Sequence, residues 1–286
     1  MPLRVTTLTD HARRIARAMA RLAEDPSRAP SLDELASVAA YSPHHFHRAY
    51  HALTGETPAQ TLARLRLSHA AAALAKTDAP LAAVARQVGF GSVAAFNRAF
   101  RAAYGIPPGA YRARVADRRE ALSEETTMDD VRITDLPPLR LAALNHRGPY
   151  DGIGAAFDRL NAWAAARGLL RPETRFFALY LDDPRTVPPA ELRAQAGLTV
   201  PADCVPEGGP RLLEVPALRC ARLRHQGPYA ELEDAYDRLY GAWLPESGED
   251  PADHPCLEEY LNDPRALPPG EWLTDVFLPL RARVAA

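Results

Sequence analysis

The sequence predicts a two-domain protein: an all-α N-terminal domain with two helix-turn-helix units, then an α+β domain of two pseudo-twofold-related strand-helix-strand-strand units. Three observations point there. A helical pattern in the first half occurs twice at an offset of 49 to 50 residues, and a strand-and-helix pattern in the second half occurs twice at an offset of 79 to 80. The charge also changes sign between them. Of the 34 Arg/Lys and 36 Asp/Glu in this 286-residue chain, residues 1–120 hold 17 and 9, and the remainder holds 17 and 27. A basic first half attracts polyanions, whereas an acidic second half suits neutral or cationic ligands. The expected boundaries are residues 1–114 for the first domain, 115–127 for a helical tail and linker, and 128–286 for the second.

Composition sets the class. Hydrophobic residues at 47% and charged residues at 24% match an ordinary globular protein and exclude wholesale disorder or a fibrous repeat. No run approaches the roughly 18 apolar residues of a membrane span, and the start, MPLRVTTLTDHARR, lacks the apolar stretch of a secretion signal. The expected location is the cytoplasm, with no membrane partner. Cys204, Cys220 and Cys256 are odd in number and form no Cys-x-x-Cys pair, so they read as ordinary thiols.

Ile15, Met19 and Leu22 suggest a first helix. Leu32, Leu35, Ala36 and Ala39 then follow the i, i+3, i+4, i+7 spacing of a helix face, and Leu81, Val84, Ala85 and Val88 repeat it. Ser42-Pro43 reads as a helix start, with serine as cap and proline at the first helical position, and Ser92 can cap the second copy. Phe46, Arg48, Tyr50, Gly55 and Pro58 recur as Phe96, Arg98, Phe100, Gly105 and Pro108. Each unit is a short helix, a turn, a second helix ending in an aromatic, and a Gly/Pro stop. Leu62, Leu65 and Leu74 lie on a long Ala-rich helix between the units, giving about seven helices in all.

Over residues 8–114 this order resembles the DNA-binding domain of AraC-family transcription regulators. The double pattern with GETPAQ and the ending GF…F-x-R-x-F…G-x-P-P…YR carries the match. The resemblance implies two recognition helices entering successive major-groove segments of double-stranded DNA. His44, His45, His47 and Arg48 match exposed groove-facing positions in the first, and Val93, Ala94, Asn97 and Arg98 match them in the second. Arg48 is the leading base reader, since a guanidinium donates two parallel hydrogen bonds to guanine; a phosphate contact is the alternative. Val93 and Ala94 depart from the polar readers common in the family and can make only apolar contacts, such as one with a thymine methyl. His47 and His51 stand one helical turn apart, but no acidic or cysteine ligand accompanies them in sequence, so no metal is assigned.

In the second domain, VRITDLPPLRLAALNHRGPY and RLLEVPALRCARLRHQGPY each read as a strand, a proline turn, another strand and a Gly-Pro-Tyr turn. Asp158-Arg159-Leu160 recurs as Asp237-Arg238-Leu239 on helices containing Trp163 and Trp243, and YLDDP at Tyr180 recurs as YLNDP at Tyr260. Two such copies imply a cleft between pseudosymmetric halves, where ligands tend to bind. Residues two apart on a strand share a face, which groups Cys256, Glu258 and Tyr260. Only the second copy has a carboxylate there, because Ala178 aligns with Glu258. Glu259 falls on the opposite face with Leu257 and Leu261, where an acid is expected at an exposed edge.

Residues 128–284 resemble the GyrI-like small-molecule-binding domain on their H-x-GPY, E-x-YLNDP and PPGE segments. Joined to an AraC-type domain, the arrangement resembles the Rob-like branch of AraC regulators, named for the right-origin-binding protein, whose members generally act as activators. The resemblance places a pocket glutamate at Glu258, where a buried carboxylate among aromatics pairs with a lipophilic cation. Tyr180, Tyr229, Tyr236, Trp243 and Trp272 are the candidate aromatic walls beside Tyr260, with core packing as the alternative for each and Tyr180 and Tyr260 the foremost. The implied function is a DNA-binding transcription regulator controlled by a small-molecule effector, cationic and aromatic, with RNA polymerase as a further candidate partner. Two alternatives stay open: hydrolysis of a strained electrophile by Glu258 and Tyr260, and a second domain that chiefly binds protein. No enzyme activity, organic cofactor or metal is assigned, since neither a nucleotide-binding glycine pattern nor a nucleophile triad is found.

Overall fold

A computed structural model describes residues 3–124 and 130–282, with the side chains of 3–9, His44 and 119–124 left aside. Residues 125–127, the end of the expected linker, lie outside the described residues. Seven helices form the first half: α1 (Leu3–Glu24), α2 (Leu32–Val38), α3 (Pro43–Thr54), α4 (Pro58–Lys76), α5 (Leu81–Gln87), α6 (Val93–Tyr104) and α7 (Pro108–Glu124). Helices α2 and α3 form the first helix-turn-helix and α5 and α6 the second. The Ala-rich α4 joins them, burying Leu62 and Leu65 in one core and Leu74 in the other.

Capping follows the sequence with one exception. Ser92 Oγ accepts the Ala95 amide at 3.1 Å, and Thr57 and Gln60 form a reciprocal capping box at the start of α4. Ser42 occupies the cap position of α3 without a side-chain hydrogen bond. There Pro43, at the first helical turn, already removes one of the amides that a cap would satisfy.

The two turns repeat each other down to the backbone. Gly89 has φ +86°, and its counterpart 49 residues earlier is Ala40 with φ 53°. A left-handed alanine is strained by roughly 1–2 kcal/mol, partly offset by its lower unfolded-state entropy. Ala40→Gly should therefore raise stability by about 0.5–1 kcal/mol in urea unfolding. Gly89→Ala should do the reverse at larger amplitude, because its new Cβ would stand 2.4 Å from the Ser27 carbonyl oxygen. Overpacking alone costs about 1–3 kcal/mol. Equal effects of opposite sign at the two positions would contradict this account.

The second half is one eight-stranded antiparallel sheet: β1 (Val131–Leu136), β2 (Leu139–Arg147), β3 (Phe176–Tyr180), β4 (Arg193–Thr199), β5 (Arg211–Val215), β6 (Leu218–Gln226), β7 (Cys256–Tyr260) and β8 (Leu273–Pro279). Its order, β1-β6-β8-β7-β3-β4-β2-β5, is symmetric about the β3–β7 pair, as two equivalent copies require. Each copy lends its first strand to the other. The proline turns therefore do not close hairpins: β1 pairs with β6 and β5 with β2. Helix α8 (Gly154–Ala165) covers the first copy. In the second, α9 (Leu232–Asp237) runs into a π-helical turn (Arg238–Trp243) and then α10 (Leu244–Ser247).

Glu259 is not at an exposed edge. Strand β7 lies inside the sheet, and Glu259 is 7% exposed with both oxygens on Arg175, at 2.6 and 2.8 Å. The bidentate arginine, from just before β3, supplies the counter-charge that an interior acid needs.

The halves are joined by ion pairs at two buried carboxylates. Arg64 of α4 donates to Asp158 of α8 at 2.8 Å while also holding Glu56 at 2.8 and 2.9 Å. Arg265 adds a hydrogen bond to the Thr54 carbonyl at 2.9 Å and lies 3.6 Å from Asp158. On the other side, Glu231, 1% exposed, accepts from Arg114 and Arg118 of α7 at 3.1 and 2.8 Å. Apolar contacts follow: Ala162 of α8 belongs to the first helical core, and Ala230 packs against the second.

Candidate functional site

Two places carry functional geometry. The first is the outer surface of α3 and α6. Phe46, Tyr50, Phe96 and Phe100 are fully buried and fix each helix on its core. That anchoring turns the intervening positions outward: His45, His47, Arg48, Val93, Ala94 and Arg98 are exposed. Asn97 is half-buried, and its Oδ1 has no hydrogen-bond partner. His44 lies on α3, its side chain outside those described. Among the described residues Arg48 and Arg98 engage no internal acceptor, so their guanidinium forks face outward unspent.

The second place is a cavity of about 1990 Å³ between the sheet domain and the helical domain. Glu258 lies in its wall at 2% exposure. Its Oε1 accepts from the Tyr236 hydroxyl at 3.0 Å, its Oε2 accepts from Tyr260 at 2.8 Å, and Tyr260 is bonded to the Tyr180 hydroxyl at 3.0 Å. Burial pushes the Glu258 carboxyl up to about 7, against the opposing effect of the tyrosine hydrogen bonds. The same buried charge, with desolvation as the larger cause, raises the phenols of Tyr180, Tyr236 and Tyr260. They therefore remain donors.

The repeat builds the aromatic walls in pairs. Tyr150 and Tyr229 come from the two Gly-Pro-Tyr turns, Phe157 and Tyr236 from the two covering helices, and Tyr180 and Tyr260 from the central strands; all six line the cavity. Tyr150 stands edge-on to Tyr180 at 4.6 Å, Phe157 edge-on to Tyr260 at 5.1 Å, and Tyr229 packs on Trp272 at 4.5 Å. Chemically this is one neutralisable carboxylate in an aromatic box, groups that can pair with and stack on a cation.

Glu258, Tyr260 and Tyr180 come together here, and Trp243 does not join them. Trp243 is 5% exposed in the core with Leu239, Cys256 and Val276 and does not line the cavity. Its repeat partner Trp163, on the regular helix α8, is likewise core at 6% exposure, so both copies spend this tryptophan on packing. Tyr229, Tyr236 and Trp272, also among the candidate aromatics, do line the cavity, and Tyr236 bonds Glu258 directly.

Helical residues also bound this cavity: Leu53, Glu56, Arg64, Leu67, Lys76 and Tyr104. The repeats could not show this, since it depends on how α4 docks between the halves.

Comparison with known proteins yields two family matches. Residues 129–281 match the GyrI-like small-molecule-binding domain, and residues 35–114 match a helix-turn-helix domain. A DNA gyrase inhibitor of Edwardsiella piscicida is 35% identical over 161 residues, which span 53% of this chain and 97% of that protein. A putative AraC-like transcription regulator of Streptomyces lividans is 38% identical over 98 residues, 34% of this chain and 32% of its own length. Among solved structures, the DNA-binding domain of AdpA in complex with a target DNA is 33% identical, with a TM-score of 0.36, over 37% of this chain and 96% of that one.

Proposed function

Since this chain belongs to the GyrI-like small-molecule-binding family and carries an AraC-type helix-turn-helix domain in front of that fold, we propose that it is a cytoplasmic regulator that reads DNA through α3 and α6 and responds to a lipophilic cation bound at Glu258. The observation that carries this reading is the buried Glu258 carboxylate in an aromatic wall, inside a cavity whose far side is the DNA-binding domain. A ligand changes DNA affinity only through different interactions with DNA-competent and incompetent arrangements. A cavity shared by both domains supplies a place for such a difference.

Hydrolysis is the weaker reading. Both Glu258 oxygens accept tyrosine hydrogen bonds, which suits holding a charge better than activating a water. Product formed from a strained electrophile and lost in Glu258→Gln would reverse that judgement. No helix among the described residues is long and apolar enough to cross a membrane.

DNA reading is tested by selecting bound duplexes with the full-length protein at stated salt. Arg48→Ala should relax specificity at one guanine position by about 1–3 kcal/mol, and Arg98→Ala should act in the adjacent groove segment. If both substitutions weaken all duplexes equally and lower only the salt dependence, these arginines contact phosphates and the assignment of base readers fails.

A further inference from the structure

A second, smaller pocket lies on the seam between α1 and α8, away from Glu258. Its volume is about 230 Å³, and four arginines line it: Arg13 and Arg17 from α1, Arg159 from α8, and Arg167 just beyond that helix. Arg13 and Arg17 are one helical turn apart and share a face. Arg159, Trp163 and Arg167 recur at four-residue steps along the opposing helix, so both rows meet at the seam. Between them Ala12, Ala16 and Ala20 keep the contact shallow and leave the space open.

This cluster is poorly neutralised. Among the described residues Arg17 and Arg159 make no ion pair or hydrogen bond, and Arg13 has only Asp10, at 4.0 Å and half-exposed. Arg167 is spent on structure: it stacks on Trp163 at 4.6 Å and donates to the Trp163 and Glu207 carbonyls at 3.2 and 3.0 Å. Trp163 Nε1 donates to the same Glu207 carbonyl at 2.8 Å, which pins the 207–210 loop over the pocket. Gly208 and Gly209, at φ 81° and 140°, give that loop a conformation other residues rarely adopt. Like charges one turn apart on a helix repel, and here two such rows meet across a domain seam, where Asp10 lies near Arg13 and the Glu207 charge acts on Arg167.

The geometry points to a binding site for a small phosphorylated anion, held by Arg17 and Arg159 and bordered by Arg13 and Arg167. Planar guanidinium forks match phosphate oxygens bidentately, and the pocket, at about 230 Å³, has room for one or two phosphate groups. An anion there cross-links α1 of the DNA-binding domain to α8 of the sheet domain, so the protein has an anionic input besides the cationic one at Glu258.

The test uses the full-length protein without DNA at low salt, titrated with inorganic pyrophosphate and followed by calorimetry and by tryptophan emission, to which Trp163 contributes. Saturable binding is expected, weakened at least tenfold in both Arg17→Gln and Arg159→Gln and only partly in Arg159→Lys, with the anion-free melting temperature unchanged. Absence of saturable binding overturns the proposal, as does binding that survives both glutamine variants, which would place the anion on the recognition helices. If instead the two variants lose duplex affinity, with a smaller salt slope, while pyrophosphate fails to bind the parent protein, the arginines belong to the DNA backbone surface and the proposal is wrong.

Discussion

Glu258→Gln should make the ligand-free protein more stable at pH 8 by about 3 kcal/mol while costing it about a hundredfold in affinity for a lipophilic cation such as tetraphenylphosphonium. The stability gain follows from the position of the carboxyl at about 7 in the folded protein, against an ordinary value near 4.5. Between those values the folded chain holds a proton that the unfolded chain has lost. The carboxyl's stability contribution is therefore complete below about pH 4.5 and is lost as pH rises through about 7. At pH 8 the parent protein bears the cost of a desolvated carboxylate, and the glutamine variant does not. The side-chain amide keeps an acceptor for Tyr236 and donates to Tyr260, which can turn its hydroxyl to Tyr180. Urea unfolding of both proteins at pH 5 and pH 8 isolates this one group, and an equal difference at both values would remove Glu258 from the account.

The same proton gives binding its own signature. A cation recruits the ionised carboxylate, so affinity should rise up to tenfold per unit between pH 5 and pH 7 and flatten above. A neutral isostere of the cation should show no such slope. Opposite responses of stability and affinity to one substitution are what a binding group held at the expense of fold stability produces.

How much of this was legible in the sequence depends on range. Both helix-turn-helix units were, because apolar periodicity, caps and glycine stops are local and repeat at a fixed offset. Glu258 was legible as a break in symmetry, the carboxylate standing where the first copy has Ala178. Glu259 was misplaced because Arg175 lies 84 residues away and nothing local announces the pair. The crossing of β1 and β5 was hidden for a related reason: a proline turn between two strands reads as a hairpin unless the partner copy is known to claim the strand. Trp243 was a candidate wall as an aromatic near the cleft, but it packs in the core as its repeat partner Trp163 does, and composition alone does not separate a core aromatic from a wall. The seam between the halves was the least visible, since Arg64, Asp158, Arg114 and Glu231 are unremarkable charges until four elements dock.

That seam supports the other large effect. Arg64→Ala should cost about 3–5 kcal/mol, more than removal of any exposed arginine, because it strands two carboxylates at once. Asp158 is 5% exposed, and Glu56 is kept below its ordinary value by Arg64 despite burial that acts to raise it. Without the guanidinium, Asp158 retains Arg265 at 3.6 Å, and Glu56 retains the Thr61 hydroxyl at 2.9 Å and the charge of Arg265. The loss should fall on the docking of the domains before their cores, since the Arg64–Asp158 pair runs from one domain to the other. Calorimetry should then resolve two thermal transitions where the parent shows one, and the duplex affinity of the variant should no longer respond to the Glu258 ligand. A single lowered transition with the ligand response intact would mean that Arg64 only stabilises its own helix. The paired substitution Arg64→Met with Asp158→Leu separates the two cases further. It removes the stranded Asp158 charge and should recover part of the stability, but it leaves the cavity wall without the Arg64–Asp158 link between the domains and should leave the ligand response weak.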